Sequence, residues 1–184
     1  MTAVAGLLFL GLAYFVVGQA AALRNDAQGA ADAAALAAAQ EARDQLRGRL
    51  LDAIADPELW DDLLNGEGFE YGGPCRAAAE FASKNDAELL DCGAVSEPDD
   101  GFAVTVRSEN SVGDSIVPGT ESNHAETSAT AVIESRCGLG EPVGDNAKEP
   151  LLELDCDGGH WTVGSADLDL FPDSSDLFSV HLVD

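Results

Sequence analysis

Residues 3–23, AVAGLLFLGLAYFVVGQAAAL, carry no charge, and Gln19 is their one strongly polar side chain. A helix of about 20 apolar residues crosses the hydrocarbon layer of a bilayer. The run therefore predicts a segment that lies in a membrane or inside an assembly. Its charge order differs from that of a secretory signal, which opens on a basic stretch, has a shorter apolar core and ends at a small-residue cleavage site. Here the first positive charge, Arg24, stands beyond the apolar run. The pattern predicts that a short basic leader is removed and that Met1 opens the mature chain.

Residues 21–40, AALRNDAQGAADAAALAAAQ, carry the helical pattern onward without a turn signal, and the first proline is Pro57. The sequence thus predicts one helix over 1–55, roughly 75–80 Å long at 1.5 Å per residue. Such a helix is too long to be buried on one small head. Alanine is the best helix former, and small residues at four-residue spacing (Gly29, Ala33, Ala37) let helices approach closely. The expected assembly surface comprises Leu7, Leu8, Leu10, Phe15, Gly18, Ala22, Gly29, Ala33, Ala34 and Ala37. Further down, Ala39, Ala42, Leu46, Leu50 and Ile54 line one helical face, expected to pack on the head.

The net charge of −25 is confined to one part of the chain. Residues 1–50 hold Asp26, Asp32, Glu41 and Asp44 against Arg24, Arg43, Arg47 and Arg49 and sum to zero; the other 30 acids face five bases. Such a head repels nucleic acid and anionic lipid, so no nucleic-acid partner is expected, and it stays soluble by self-repulsion. The four cysteines, Cys75, Cys92, Cys137 and Cys156, all follow the apolar helix, and none forms a C-x-x-C pair. An even count beyond a membrane segment predicts two disulfides in an oxidising compartment. Four cysteines allow three connectivities. Closeness in sequence favours Cys75–Cys92 and Cys137–Cys156.

After Pro57 the sequence predicts short helices over 58–64 and 75–84, separated by a glycine-rich turn. Strands are predicted at 88–92, 102–107 (FAVTVR, alternating), 126–134, 151–154 and 178–183, joined by acidic loops. The fold class is α+β: a long N-terminal helix whose Leu46/Leu50/Ile54 stripe is covered by a small antiparallel sheet, with 56–184 as an acidic, disulfide-stapled extracellular head.

The block Arg24, Asn25, Ala27, Gln28, Ala30 to Ala35, Leu36 and Ala37 to Ala39, placed after an apolar helix, resembles the N-terminus of TadG/TadE-like proteins of the tight-adherence pilus group. CRAAAEFASKNDAELLDC (75–92) followed by FAVTV looks like their second signature, a helix and strand framed by two cysteines, and the ending DLFSVHLVD is similar to the same group in Gram-positive bacteria. The resemblance implies a pilin-like subunit at the cell surface, inserted in the membrane before assembly. Its implied partners are copies of itself in a helical filament and the pilus assembly machinery. A single-span subunit that never polymerises is the alternative. Pilins of the prepilin-peptidase pattern keep a glutamate near the fifth mature position; Ala5 stands there in this chain.

No cofactor and no catalysis are expected. The sequence has no G-x-S-x-G, no H-E-x-x-H and no phosphate-cradling glycine loop followed by lysine. His160 beside Trp161 reads as a packing or turn pair, and His181 as an outward residue of the last strand. The acidic stretch with Asp167, Asp169, Asp173 and Asp176 is the weak calcium candidate, since it lacks the spacing of an EF-hand loop.

Overall fold

In the structure, a computed structural model, residues 2–53, 59–65, 72–97, 99–111, 122–140, 151–164 and 171–183 are described. The long run forms one unbroken helix, α1 (Thr2–Asp52). Its last turn closes with the Ala53 amide donating to the Arg49 carbonyl at 2.9 Å. The carbonyl of Ala53, left over at the helix end, accepts the indole N–H of Trp60 at 2.9 Å. Trp60 opens α2 (Trp60–Leu64). The second short helix, α3 (Gly72–Lys84), starts three residues before the expected Cys75. It ends on Asp86, whose φ of 54° lies in the left-handed region that Asn and Asp tolerate best after glycine.

The chain then runs antiparallel through β1 (Ala87–Val95), β2 (Gly101–Ser111) and β3 (His124–Ser135). It leaves the sheet for β4 (Cys137–Leu139), β5 (Leu151–Cys156), β6 (Gly159–Gly164) and the single-turn α4 (Ser174–Leu177). It returns as β7 (Phe178–Val183), antiparallel beside β3. Two sheets result, one ordered β1-β2-β3-β7 and one ordered β4-β5-β6. A single sheet was expected. The second escapes a pattern reading because β4 and β6, CGL and GHWTVG, carry too few apolar alternations to mark strands. Ile54 and the glycine-rich stretch around Gly66 and Gly68 lie outside the described residues.

The alternation of FAVTVR sets the layers. Phe102, Val104 and Val106 are buried on one face with Ala131 and Ile133 of β3, and onto that face pack α1 and α3. Ala78 and Ala82 of α3 are buried, and Cys75 in α3 is bonded to Cys92 in β1. The second disulfide joins Cys137 and Cys156, which oppose each other across β4 and β5. The bonds close loops of 17 and 19 residues, and each contributes roughly 3 kcal/mol by constraining the unfolded chain. At the lower end of α1, the Trp60 ring meets Phe171 edge to face at 6.0 Å, and the Arg47 guanidinium lies 5.5 Å from the Phe171 ring centre. Arg47 Nε also donates to the Pro172 carbonyl at 2.9 Å, tying the chain before α4 to the helix.

One glycine is required by close approach. A Cβ on Gly101 would overlap the Ala131 carbonyl oxygen and stand 2.8 Å from Val132 Cα, both backbone atoms of the paired strand. Gly101→Ala must therefore push β3 away from β2, and the expected loss is about 2–3 kcal/mol, read as a lowered urea midpoint at unchanged slope.

Candidate functional site

α1 divides into two regions. From Ala3 to Asp26 almost every side chain described is exposed, among them Leu7, Leu8, Leu10, Phe15, Gly18 and Ala22, with Gln19 and Leu23 half-buried. From Ala27 onward the helix enters the head. Ala27, Ala30, Ala31, Ala34, Ala35, Ala37, Ala38, Ala39, Ala42, Leu46 and Leu50 are all buried. At about 100° per residue these positions cover well over half the helix circumference. The cause is contact with two partners at once: α1 lies on β2 and β3 of the sheet and packs against α3 beside it, so a side chain larger than methyl would hold one of them off.

This corrects two expectations. Ala34 and Ala37 do not lie on an open surface of the helix; they are 0% and 6% exposed within the single chain. The alanine run expected to make contact between copies serves the chain's own core, because a helix packed against both a sheet and a second helix needs small residues toward each. Gly29 is exposed, and Ala33 is half-buried on the uncovered side. The polar residues of the same block also have local work. Gln28 accepts the Thr127 hydroxyl of β3 at 2.5 Å and donates to Asp32 Oδ1 at 2.8 Å, pinning the helix to the sheet where it enters the head. Sequence reasoning missed this contact, although a lone Gln28 between Ala27 and Gly29 was its signal.

What remains uncovered is a strip. Val4, Gly11, Phe15, Gly18, Ala22, Gly29, Ala33 and Gln40 follow one another at helical spacing along the side of α1 away from the head, interrupted by Leu36, which packs partly against the core. A Cβ added at Gly11, Gly18 or Gly29 would meet nothing within 4 Å. A helix-interior glycine costs about 0.5–1 kcal/mol relative to alanine, and among the described residues no neighbour accounts for these three.

The apolar cover of the upper helix runs all round it. Leu7, Phe9 and Tyr14 are 70%, 71% and 83% exposed. With Val4, Leu8, Leu10, Leu12, Phe15 and Val17, nine large side chains face outward. Burial of each is worth about 1.5–3 kcal/mol, on the order of 20 kcal/mol in sum. No isolated helix keeps that surface in water, and α1 is long and apolar enough to cross a membrane.

Candidates for other chemistry are scattered. His160 Nδ1 lies 3.9 Å from Asp155 on the β5–β6 hairpin, and His181 is exposed on β7, 3.9 Å from Glu134. His124 Nδ1 bonds the Ser108 carbonyl at 2.8 Å. Asp167 and Asp169 lie outside the described residues. Asp173 stands 3.9 Å from Arg47, and Asp176 is exposed on α4. Among the described residues no group of three or more His, Cys, Asp or Glu side chains could hold a metal ion. The Lys84 ammonium hydrogen-bonds Glu80 at 2.7 Å and holds that carboxyl below its ordinary value.

No curated protein and no solved structure matches the chain. Residues 1–41, which take in the bare helix and the whole alanine run, match the Tad family model, whose description is "Putative Flp pilus-assembly TadE/G-like"; that segment is similar to TadE/G-like proteins, in keeping with a pilus-associated protein anchored in a membrane or displayed at a surface.

Proposed function

We propose that the protein is a structural, pilin-like subunit that enters the membrane through α1 and then polymerises through it into an extracellular filament, with the acidic head outward. The observation that carries this reading is the bare upper helix: nine large apolar side chains exposed on all sides of a segment joined to a soluble head. A membrane covers that surface before assembly, and neighbouring copies of the helix cover it afterwards.

The strip of Gly11, Gly18, Ala22, Gly29 and Ala33 supports contact between helices, because small residues let two axes approach and strengthen dispersion contact along their length. The separation of charge supports the same arrangement. The described upper helix has Arg24, Asp26 and Asp32 as its only ionised groups, while the head bears the net −25 and belongs in water. A head-to-tail contact of this kind, repeated without closure, gives a fibre.

Single added cysteines test the helix contact in intact cells. Gly29→Cys is expected to yield covalent dimers and higher species on a non-reducing gel. Glu80→Cys, on the exposed side of α3, is expected to remain monomeric. If Gly29→Cys stays monomeric under oxidation, the helix stands alone, and a single-span surface anchor replaces the filament subunit.

A further inference from the structure

α3 and β1 form a hairpin whose whole connection is Asn85 and Asp86. The Asp86 carbonyl accepts the Glu109 amide of β2 at 2.8 Å, which holds this end of the hairpin to the sheet. From the turn, α3 runs back along α1. Asn85 and Asp86 line a crevice with Ala27 and Gly29, and at the other end of α3 a Cβ on Gly73 would overlap Gln45 Nε2. α3 therefore spans α1 from about Gly29 to Gln45, the stretch that holds the alanine run.

Small side chains hold α3 in that place. Its buried residues are Pro74, Ala78 and Ala82, one ring and two methyl groups in a helix of 13 residues. Its largest apolar side chain, Phe81, is 40% exposed, with the Lys84 ammonium 4.6 Å from the ring centre. Two glycines open the helix, and glycine is the weakest helix former after proline. A helix of this length is marginal in water by itself. The end of the hairpin away from the turn is closed by Cys75–Cys92, and a bond that closes 17 residues favours the closed chain by about a hundredfold. Both of these cysteines are half-buried. Cys137 and Cys156, by contrast, are 8% and 9% exposed, on strands that pair with each other.

We propose that Cys75–Cys92 is a redox latch on α3: reduction by a dithiol frees the helix to swing away on Asn85 and Asp86, and oxidation closes it over the alanine run again. Thiol–disulfide exchange depends on access to the bond, so the half-buried pair reacts first. One thiolate of the reductant forms a mixed disulfide with one cysteine, and its second thiol displaces that cysteine. The reductant ends as a disulfide, and its two electrons and two protons end on Cys75 and Cys92 as thiols. A dithiol oxidoreductase is the class of reductant in the cell, and dithiothreitol does the same in the tube. With the latch open, the side of α1 that α3 covers lies bare next to Gly29, Ala33 and Gln40, and the surface offered to a second helix widens. β2 and β3 keep their own hold on α1, so the rest of the head stays folded. The latch works within one head and does not depend on polymerisation.

The test is trypsin cutting after Arg76, which is exposed on α3, in the full chain held in detergent micelles, before and after dithiothreitol and alkylation. Peptide mass spectrometry is expected to find Cys75 and Cys92 alkylated while Cys137 and Cys156 stay bonded. Cutting after Arg76 is expected to rise at least about tenfold, a part of the roughly hundredfold hold of the bond, and cutting after Arg107 in β2 to change less than about twofold. Cys75→Ser/Cys92→Ser should show the same pattern without reductant, and Cys137→Ser/Cys156→Ser should leave Arg76 protected. Equal cutting after Arg76 with the bond open and closed overturns the proposal, because the helix then stays docked without it. So does cutting after Arg107 that rises together with Arg76, which makes the bond a staple of the whole head. Opening of Cys137–Cys156 before Cys75–Cys92 overturns it as well. Because single heads are measured, each of these results leaves the filament reading standing.

Discussion

Ala34→Glu is expected to unfold the head. Ala34 is fully buried, in one continuous core with Ala31, Ala35, Ala38 and Val104. A glutamate there must displace one of the two layers that grip α1, and it brings a charge into a site with no basic side chain in that core. An unpaired buried charge and overpacking act together. The expected cost is about 4–5 kcal/mol or more, comparable with the whole stability of a small domain. Circular dichroism and limited proteolysis of the variant should show loss of the head's cooperative transition, even with both disulfides formed. Ala34→Gly leaves a smaller void and adds backbone freedom. It should cost only about 1 kcal/mol.

Leucine at Gly18 and Gly29 together is expected to have the opposite profile. Both glycines face open space in the subunit, so the double variant should keep the head's stability and enter the membrane at least as well. Between copies the effect is large. Interaxial distances depend on the side chains at the contact, and a leucine at each end of the glycine strip holds neighbouring helices apart along the shared length. Losing about 1.4 kcal/mol or more at each subunit contact raises the critical concentration at least tenfold. The check is sedimentation of polymer against free subunit, with the thermal transition of the head as control.

These two substitutions mark how far the sequence could be read. The uncharged run and the missing prolines before Pro57 made α1 legible, because helix propensity and hydropathy act locally. FAVTVR declared its strand by alternation, and its buried face is the one that receives the helices. The role of the alanines was not legible. A run such as ADAAALAAA fits a helix packed on other copies and a helix gripped by its own head equally well, and only the packing of α1 against β2, β3 and α3 of the same chain decides between them. The three-stranded sheet was missed because paired backbone and the Cys137–Cys156 bond hold it, with little apolar pattern to announce it.

Electron microscopy of the purified full chain after detergent removal tests the central claim most directly. Helical filaments with α1 bundled in the core and the acidic heads outside are the predicted result, lost in the Gly18→Leu/Gly29→Leu double variant and kept in Glu80→Gln. Discrete single copies, seated in lipid by one helix at every concentration and salt condition, would contradict it.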